Sequence, residues 1–576
     1  AVRHSKPLDD QCCVQSCYTL TMRNVEIKLF INPDAKPVTR KVKAGTTIES
    51  LVREYRSHLP YRITAARIDG DSVRLSDTIE KQCEIVFCDL RENIGNRAFQ
   101  RGLILVFLKS IEDIFGDVRV VIKNSINRGL YVTIDTPAPI TEDQLRQAER
   151  RMWELVDENL PINMLKFRKG NLLDYLKERG ASKQINWLKH APNVQYMNVY
   201  DLGGYNNYFY GSLTPSAGYA APFALKLFHD GVLIQLPSPQ HPDRVERHET
   251  DDKIFAAFEE EGVIMKAFGI GYIGDLDEVV ERDGGSAIIH VIEERHRRSI
   301  EGLSRKITES GKRIILIAGP SSSGKTTFTK RLIEQFESRG KKALYLGTDD
   351  YFFDRDEAPK DRKGRYNYEG LDALDVELFE KNMVALLSGK KVDVPRYDFI
   401  DGEKKFGERI EKLGKNDVVF IEGIHALNDK LSDEIPEDEK FLIYISPLTQ
   451  LNIDDHNRVS PTDVRLIRRI CRDSRMRGNS AEETLSRWKK VSDGEAVNIF
   501  PFNNKADAVF NSAIAYELCV LRNYAEPLLE EVKPGDPNHG HANWLLYLLK
   551  FFSPITDESP IPEDSLLREF IGGSRY

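Results

Sequence analysis

The chain has 576 residues, 41% of them hydrophobic and 30% charged, a length that predicts about three to five compact units at roughly 100–200 residues each. Lys and Arg total 82 against 90 Asp and Glu, so the net charge of −8 offers no global positive field for nucleic acid, and any such contact must be local. No run approaches the roughly 20 apolar residues that cross a bilayer, the opening residues lack an apolar secretory segment, and seven Cys are too few for a disulfide scaffold, so a cytoplasmic location is expected.

Residues 1–21 carry Cys12, Cys13 and Cys17 without an amphipathic pattern, and CCxxxC has no fourth ligand nearby, so they read as a disordered tail rather than a metal site. From Val25 the alternation Val25, Ile27, Leu29 predicts a strand, and a second strand follows at 37–42. Thr47 then caps a helix over 48–55, and two more strands are expected near 64–68 and 84–88. This order, together with the phrase VKAGTTIESLV, resembles the TGS domain, the β-grasp module at the front of threonyl-tRNA synthetases, over residues 22–91.

Residues 92–245 hold one well-marked helix: Thr141 and Gln144 form a capping box, and Leu145, Ala148, Met152, Leu155 and Val156 share a face. Behind a TGS-like unit, this α+β segment resembles the editing (second additional) domain of threonyl-tRNA synthetase. That resemblance implies an HxxxH pair, but the matching stretch runs Asn96-Arg97-Ala98-Phe99-Gln100-Arg101, and no later Cys/His pair is present. The expectation is a module that binds, with RNA contact as one option, and does not deacylate tRNA. A helical connector over 246–310 follows, broken at Gly284-Gly285. His290 and His296 in it are six residues apart and read as solvated side chains.

The chemistry lies in residues 311–530. The apolar run Ile314–Ala318 leads into Gly319-Pro320-Ser321-Ser322-Ser323-Gly324-Lys325-Thr326-Thr327, after which Phe328, Leu332, Ile333 and Phe336 repeat at helical spacing. GxxxxGKT between a strand and a helix is a phosphate loop: backbone N–H groups turn toward the nucleotide, Lys325 reaches its phosphates, and the Thr326 hydroxyl ligates Mg²⁺. The next strand ends in Thr348-Asp349-Asp350-Tyr351-Phe352, where a carboxylate can serve as base for an acceptor hydroxyl. A further strand ends in Glu422-Gly423, a carboxylate placed to order Mg²⁺.

With YNYEGLDALD, PRYDF, VVFIEGIHAL and the Arg run 465–477, residues 311–515 resemble the uridine kinase and phosphoribulokinase family. The resemblance implies an α/β P-loop kinase with a parallel sheet covered by helices on both faces, using ATP and Mg²⁺. It implies Asp349 as the base, Glu369 on the ribose, Tyr397 and Phe399 as an aromatic wall, and Arg469, Arg472 and Arg477 as a phosphate-clamping lid. Departures fall around the base: Asp401-Gly402-Glu403 stands where relatives carry a His, Asn479 where a lid Arg is usual, and Arg487 where a Gln is usual. The expected activity is phosphorylation of a nucleoside 5′-hydroxyl. The alternatives are another sugar or sugar phosphate as acceptor, or an RNA-binding, nucleotide-sensing regulator. Residues 531–576 read as one apolar helix and a polar tail docked on the kinase, with His539 and His541 in a plain loop.

Overall fold

The computed structural model describes residues 23–576 apart from 127, 179–185, 187, 189–194, 247–251, 361–363 and 365. The expected tail with its three Cys lies outside the described residues. The first unit is a five-stranded sheet in the order Val38–Lys43, Asn24–Phe30, Cys83–Cys88, Ala65–Ile68, Asp71–Val73. Strict alternation along Asn24–Phe30 buries Val25, Ile27 and Leu29 on one face. The helix Ile48–Glu54 crosses that face, its N-terminus capped by Thr47 Oγ1, which accepts from Ser50 N at 3.3 Å.

The second unit opens with a 23-residue helix, Asn93–Phe115, that periodicity does not reveal, because the run 102–108 is buried on every side. It packs with the capped helix Glu142–Glu158 and a four-stranded antiparallel sheet in the order Ala224–Phe228, Gly231–Gln235, Gly129–Ile134, Val120–Ile126. The connector forms three helices, Asp252–Ala267, Ile273–Asp283 and Ser286–Ser310, with Gly284 and Gly285 both at positive φ between the last two. His290 is exposed, but His296 is 1% exposed and bonds the Ala513 carbonyl at 3.1 Å, which corrects its reading as a solvated side chain.

The C-terminal sheet has five parallel strands: β1 (Ile314–Ala318), β2 (Ala343–Gly347), β3 (Val418–Glu422), β4 (Lys440–Ser446) and β5 (Ala508–Asn511), in the order β2-β3-β1-β4-β5. Strand β1 is buried on both faces. Ile315 and Ile317 join a core with Phe328, Leu332 and Phe336 of helix α1 (Lys325–Glu337) and with Ile288, Ile292 and Ile300 of the connector. Ile314 and Leu316 point into an opposite core with Phe379 and Met383 and with Phe255 and Phe258 of the connector. Period-two alternation therefore distributes one strand between two helical layers, as a parallel sheet requires. Among the described residues no helix is long and apolar enough to cross a membrane.

Candidate active site

Register places the chemistry. Ile317 of β1 and Gly347 of β2 both lie beside Glu422 at the carboxyl end of β3, so the phosphate loop and Thr348–Tyr351 emerge on either side of one carboxylate. The approach needs glycine: a Cβ at Gly423 would stand 1.8 Å from Thr348 Oγ1. In the loop, Ser322 (φ 59°) and Gly324 (φ 85°) are left-handed, which turns backbone N–H groups inward ahead of α1.

Lys325 Nζ folds back onto the carbonyls of Gly319 and Pro320 at 3.0 and 3.2 Å, and Thr326 Oγ1 donates to Glu422 Oε1 at 2.9 Å. Tyr345 OH holds the other Glu422 oxygen at 3.0 Å. Burial lowers the Lys325 pKa against the pull of Glu422, and burial raises both Glu422 and Asp349, opposed by the Lys325 charge. The two neighbouring aspartates differ. Asp350 Oδ1 accepts from Tyr397 N at 3.4 Å, pinning a short strand, Arg396–Asp398, whereas Asp349 faces Lys325. Among the described residues no group of three or more His, Cys, Asp and Glu is gathered to hold a metal by itself.

The Arg run lies on α2 (Pro461–Arg477) and divides into two kinds. Arg465 and Arg468 are not exposed, as a lid reading of the whole run requires. Arg465 pairs with Glu495 of α3 (Ala481–Asn498) at 2.5 Å and donates to Ser321 O, while Glu495 accepts from Ser321 N at 2.7 Å. Arg468 is fully buried against Glu517 and also donates to Ser322 O. These two brace the phosphate loop. Of the other four, three converge on a single acid, Asp473: Arg469 at 3.1 Å, Arg472 at 3.0 Å and Arg477 at 3.5 Å, while Arg475 donates to the Glu569 carbonyl at 3.0 Å. Arg469 also donates to Ser321 Oγ at 2.8 Å, so it already touches the loop.

Glu369 is half-buried, its pKa raised by burial and pulled back by Arg469, with Gly494 of α3 packed against its stem. Tyr397 is buried at 5% exposure and meets the Phe352 and Phe399 rings at 5.6 and 5.1 Å. Phe399 is 64% exposed, so the wall is closed on one side and open on the other. Gly402 sits at φ 79° with Arg355 Nε 2.6 Å from where a Cβ would be, so a side chain there would be strained and would have to displace Arg355.

Comparison with known proteins agrees with this geometry. The model of the phosphoribulokinase / uridine kinase family matches residues 314–517. A uridine kinase of Ligilactobacillus salivarius is 31% identical over 178 residues, 31% of this chain and 74% of that protein. The chain belongs to the phosphoribulokinase / uridine kinase family. As a member of it, the protein is a kinase, an enzyme that transfers a phosphoryl group. A possible uridine kinase from Bacillus stearothermophilus, known as a structure, aligns with 38% of this chain and 100% of its own at 21% identity and a TM-score of 0.26. The N-terminal region is similar to a threonine–tRNA ligase of Symbiobacterium thermophilum, 23% identical over 186 residues and 29% of that enzyme's length.

In this family member, three features of the site escaped the sequence reading. Glu569, in the C-terminal tail, accepts from Thr327 Oγ1 at 3.1 Å and lies 3.9 Å from Arg472, next to the phosphate loop. His425 is 1% exposed, and burial lowers its pKa to about 4 against the pull of Asp372. The backbone of Glu369 and Gly370 lies against the His425 ring and opposes that lowering. The third is the Glu495 brace. Only His425 left a trace in the sequence, inside VVFIEGIHAL; the two acids come from segments far along the chain. His539 and His541 form the first turn of the helix His539–Leu549 and not a loop; His539 bonds Asp71 at 2.7 Å.

Proposed function

We propose that the chain is an ATP- and Mg²⁺-dependent kinase that phosphorylates the 5′-hydroxyl of a nucleoside, uridine or a close relative. The observation that carries this reading is the meeting, at one sheet edge, of a phosphate loop, a Thr326–Glu422 pair 2.9 Å apart, and Asp349, a carboxylate on which the Lys325 charge acts. The residues fit both groups. Gly319 and Gly324 keep the cradle free of side chains, where a Cβ on Gly319 would stand 2.1 Å from the Ile445 carbonyl, and Thr326 with Glu422 offers hard oxygen donors. Mg²⁺ held there would supply positive charge for the phosphate oxygens.

The chain's own groups have distinct tasks. Lys325, steadied by two loop carbonyls, offsets charge that builds on the transferred phosphoryl group. Asp349 takes the proton of the attacking hydroxyl, and burial brings its proton affinity closer to that of an efficient base near neutral pH. Glu369 orients sugar hydroxyls, Arg469 and Arg472 hold phosphate oxygens, and Phe352, Tyr397 and Phe399 offer the base a face. With no side chain at position 402, stacking dominates, so discrimination among bases is expected in the range of tens to hundreds.

A coupled ADP-release assay tests this with uridine, cytidine, adenosine, inosine, ribose and ribulose 5-phosphate as acceptors. The expected result is kcat/KM for at least one nucleoside above both sugars. A sugar or sugar phosphate preferred about tenfold over every nucleoside would overturn the acceptor, and nucleotide binding without ADP release would favour a sensor.

A further inference from the structure

A second cavity, of about 470 Å³, lies between the kinase and the front units, bounded by the helix Asn93–Phe115, the segment Ile453–Asp463 and the helix His539–Leu549. That is the size of a site for a small organic ligand. Six cations line it, Arg67, Arg91, Arg97, Arg101, Arg458 and Lys489, against three acids, Glu92, Asp463 and Asp493. In a chain of net charge −8 this is a local inversion of sign.

The partners of these cations decide what the cavity can do. Arg91 is tied to Asp89 at 2.7 Å, Lys489 reaches the Arg91 carbonyl and Asp493, and Arg97 pairs with Asp463. Asp463 is then fully engaged, since its other oxygen accepts from Trp544 Nε1 at 2.9 Å. Three guanidiniums remain, of which Arg67 donates to the Pro537 carbonyl at 2.7 Å. Arg101 has one bond, at 3.3 Å, to the Ser212 carbonyl, and Arg458 makes no side-chain hydrogen bond or ion pair among the described residues. Both are partly enclosed: burial lowers each to about 10, Arg97 adds like-charge repulsion, and Asp463 pulls back only in part. A desolvated cation whose nearest acid is shared with another arginine has charge left to offer an anion in the cavity.

The rest of the lining is aromatic. The Trp544 ring already lies 5.0 Å from the Arg97 guanidinium and 5.2 Å from that of Arg101, and Phe209, Tyr210 and Trp488 complete the walls. Asn96 and Gln100 also border the cavity as neutral hydrogen-bonding groups. A polyanion alone has no use for such walls, whereas a base with a phosphate uses both.

We propose that this cavity is a binding site for a free nucleoside phosphate, separate from the kinase site, with Arg101 and Arg458 on the phosphate and the aromatic side chains beside the base. It goes beyond the proposed kinase reaction and would stand if the acceptor proved to be another sugar.

The test uses the full chain carrying Lys325→Ala, to weaken the phosphate loop, and measures binding of UMP, AMP, inorganic pyrophosphate and a short RNA oligonucleotide. A mononucleotide should bind, and adding Arg101→Gln or Arg458→Gln should weaken that binding at least about tenfold, the loss of one charge-assisted contact. Equal affinity with and without these changes overturns the site. Pyrophosphate binding as tightly as UMP and AMP would overturn the nucleotide assignment, and binding of RNA alone would overturn a free ligand. Thermal unfolding guards against a folding defect: removing a desolvated charge should leave the ligand-free Arg458→Gln chain as stable as its parent or more so, with the ligand-induced shift lost. A lower melting temperature with the shift intact would make Arg458 a structural cation and overturn its role.

Discussion

Lys325, Asp349 and Asp350 lie within one small volume, and their surroundings assign them different work. Lys325→Ala removes the ammonium held over the loop carbonyls, so ADP release should fall to background while circular dichroism is unchanged. Asp349→Asn keeps volume but loses the proton acceptor, and kcat should drop by roughly 10²–10⁴. Asp350→Asn keeps an oxygen that can accept from Tyr397 N and loses only the charge, so it should at most raise the KM of the acceptor. A dead Asp350→Asn enzyme beside an active Asp349→Asn one would reverse these roles. The pH dependence has a sign: a base works as the carboxylate, so activity is lost as pH falls through its pKa, and because burial raises Asp349 the acid limb of kcat/KM should lie above the usual Asp range. An acid limb at the ordinary carboxylate value would point to a solvated base. The loop and this pair were legible from sequence because GxxxxGKT and TDDYF are contiguous and each residue type has a single physical use there. Arg465 and Arg468 were not, since their acids stand 30 and 49 residues away and only folding identifies them.

Elements add what single residues lack. Helix α2 carries its arginines in two rows, one turned into the protein to brace the loop and the other gathered on Asp473 at the loop's edge. Arg468→Met leaves Glu517 buried and uncompensated, so it should destabilise the first unfolding transition in urea by about 3–5 kcal/mol. A loss under about 1 kcal/mol would mean that the brace is dispensable. The C-terminal tail acts on the same loop from the other side. Glu569 occupies Thr327 Oγ1 and approaches Arg472, groups that a bound phosphate would claim, and its charge opposes an incoming nucleotide. Glu569→Gln should therefore lower the KM for ATP by about threefold to tenfold with kcat little changed, whereas a raised KM would make Glu569 part of the nucleotide site. The sequence showed an apolar helix and a tail packed on the kinase, but not which loop the tail meets, because the contact from Thr327 to Glu569 spans 242 residues.

At the scale of the whole molecule, the kinase sheet does not complete its own core. The helix Ser286–Ser310 puts Ile288, Ile292, Ile300 and Ile307 into the layer that covers Ile315 and Ile317, and Asp252–Ala267 puts Phe255 and Phe258 into the layer beneath Leu316. Buried polar contacts fasten the same arrangement: Glu293 of the connector accepts from Tyr516 OH at 2.7 Å and Ser565 Oγ at 2.6 Å, joining connector, kinase and tail in one network. A fragment cut at the composition-based borders, 311–530, would expose both apolar layers and leave Arg331 without Glu293 and Asp564. At roughly 1.5–3 kcal/mol for each large apolar side chain returned to water, that loss is comparable with the 5–15 kcal/mol by which a domain is ordinarily stable. The fragment 311–530 is therefore expected to aggregate or to bind a hydrophobic dye, while 252–576 should unfold cooperatively and retain kinase turnover. Gel filtration and urea unfolding of the two fragments check this, and a monomeric, cooperatively folding 311–530 fragment would show that the connector helices are ornaments on a self-sufficient domain.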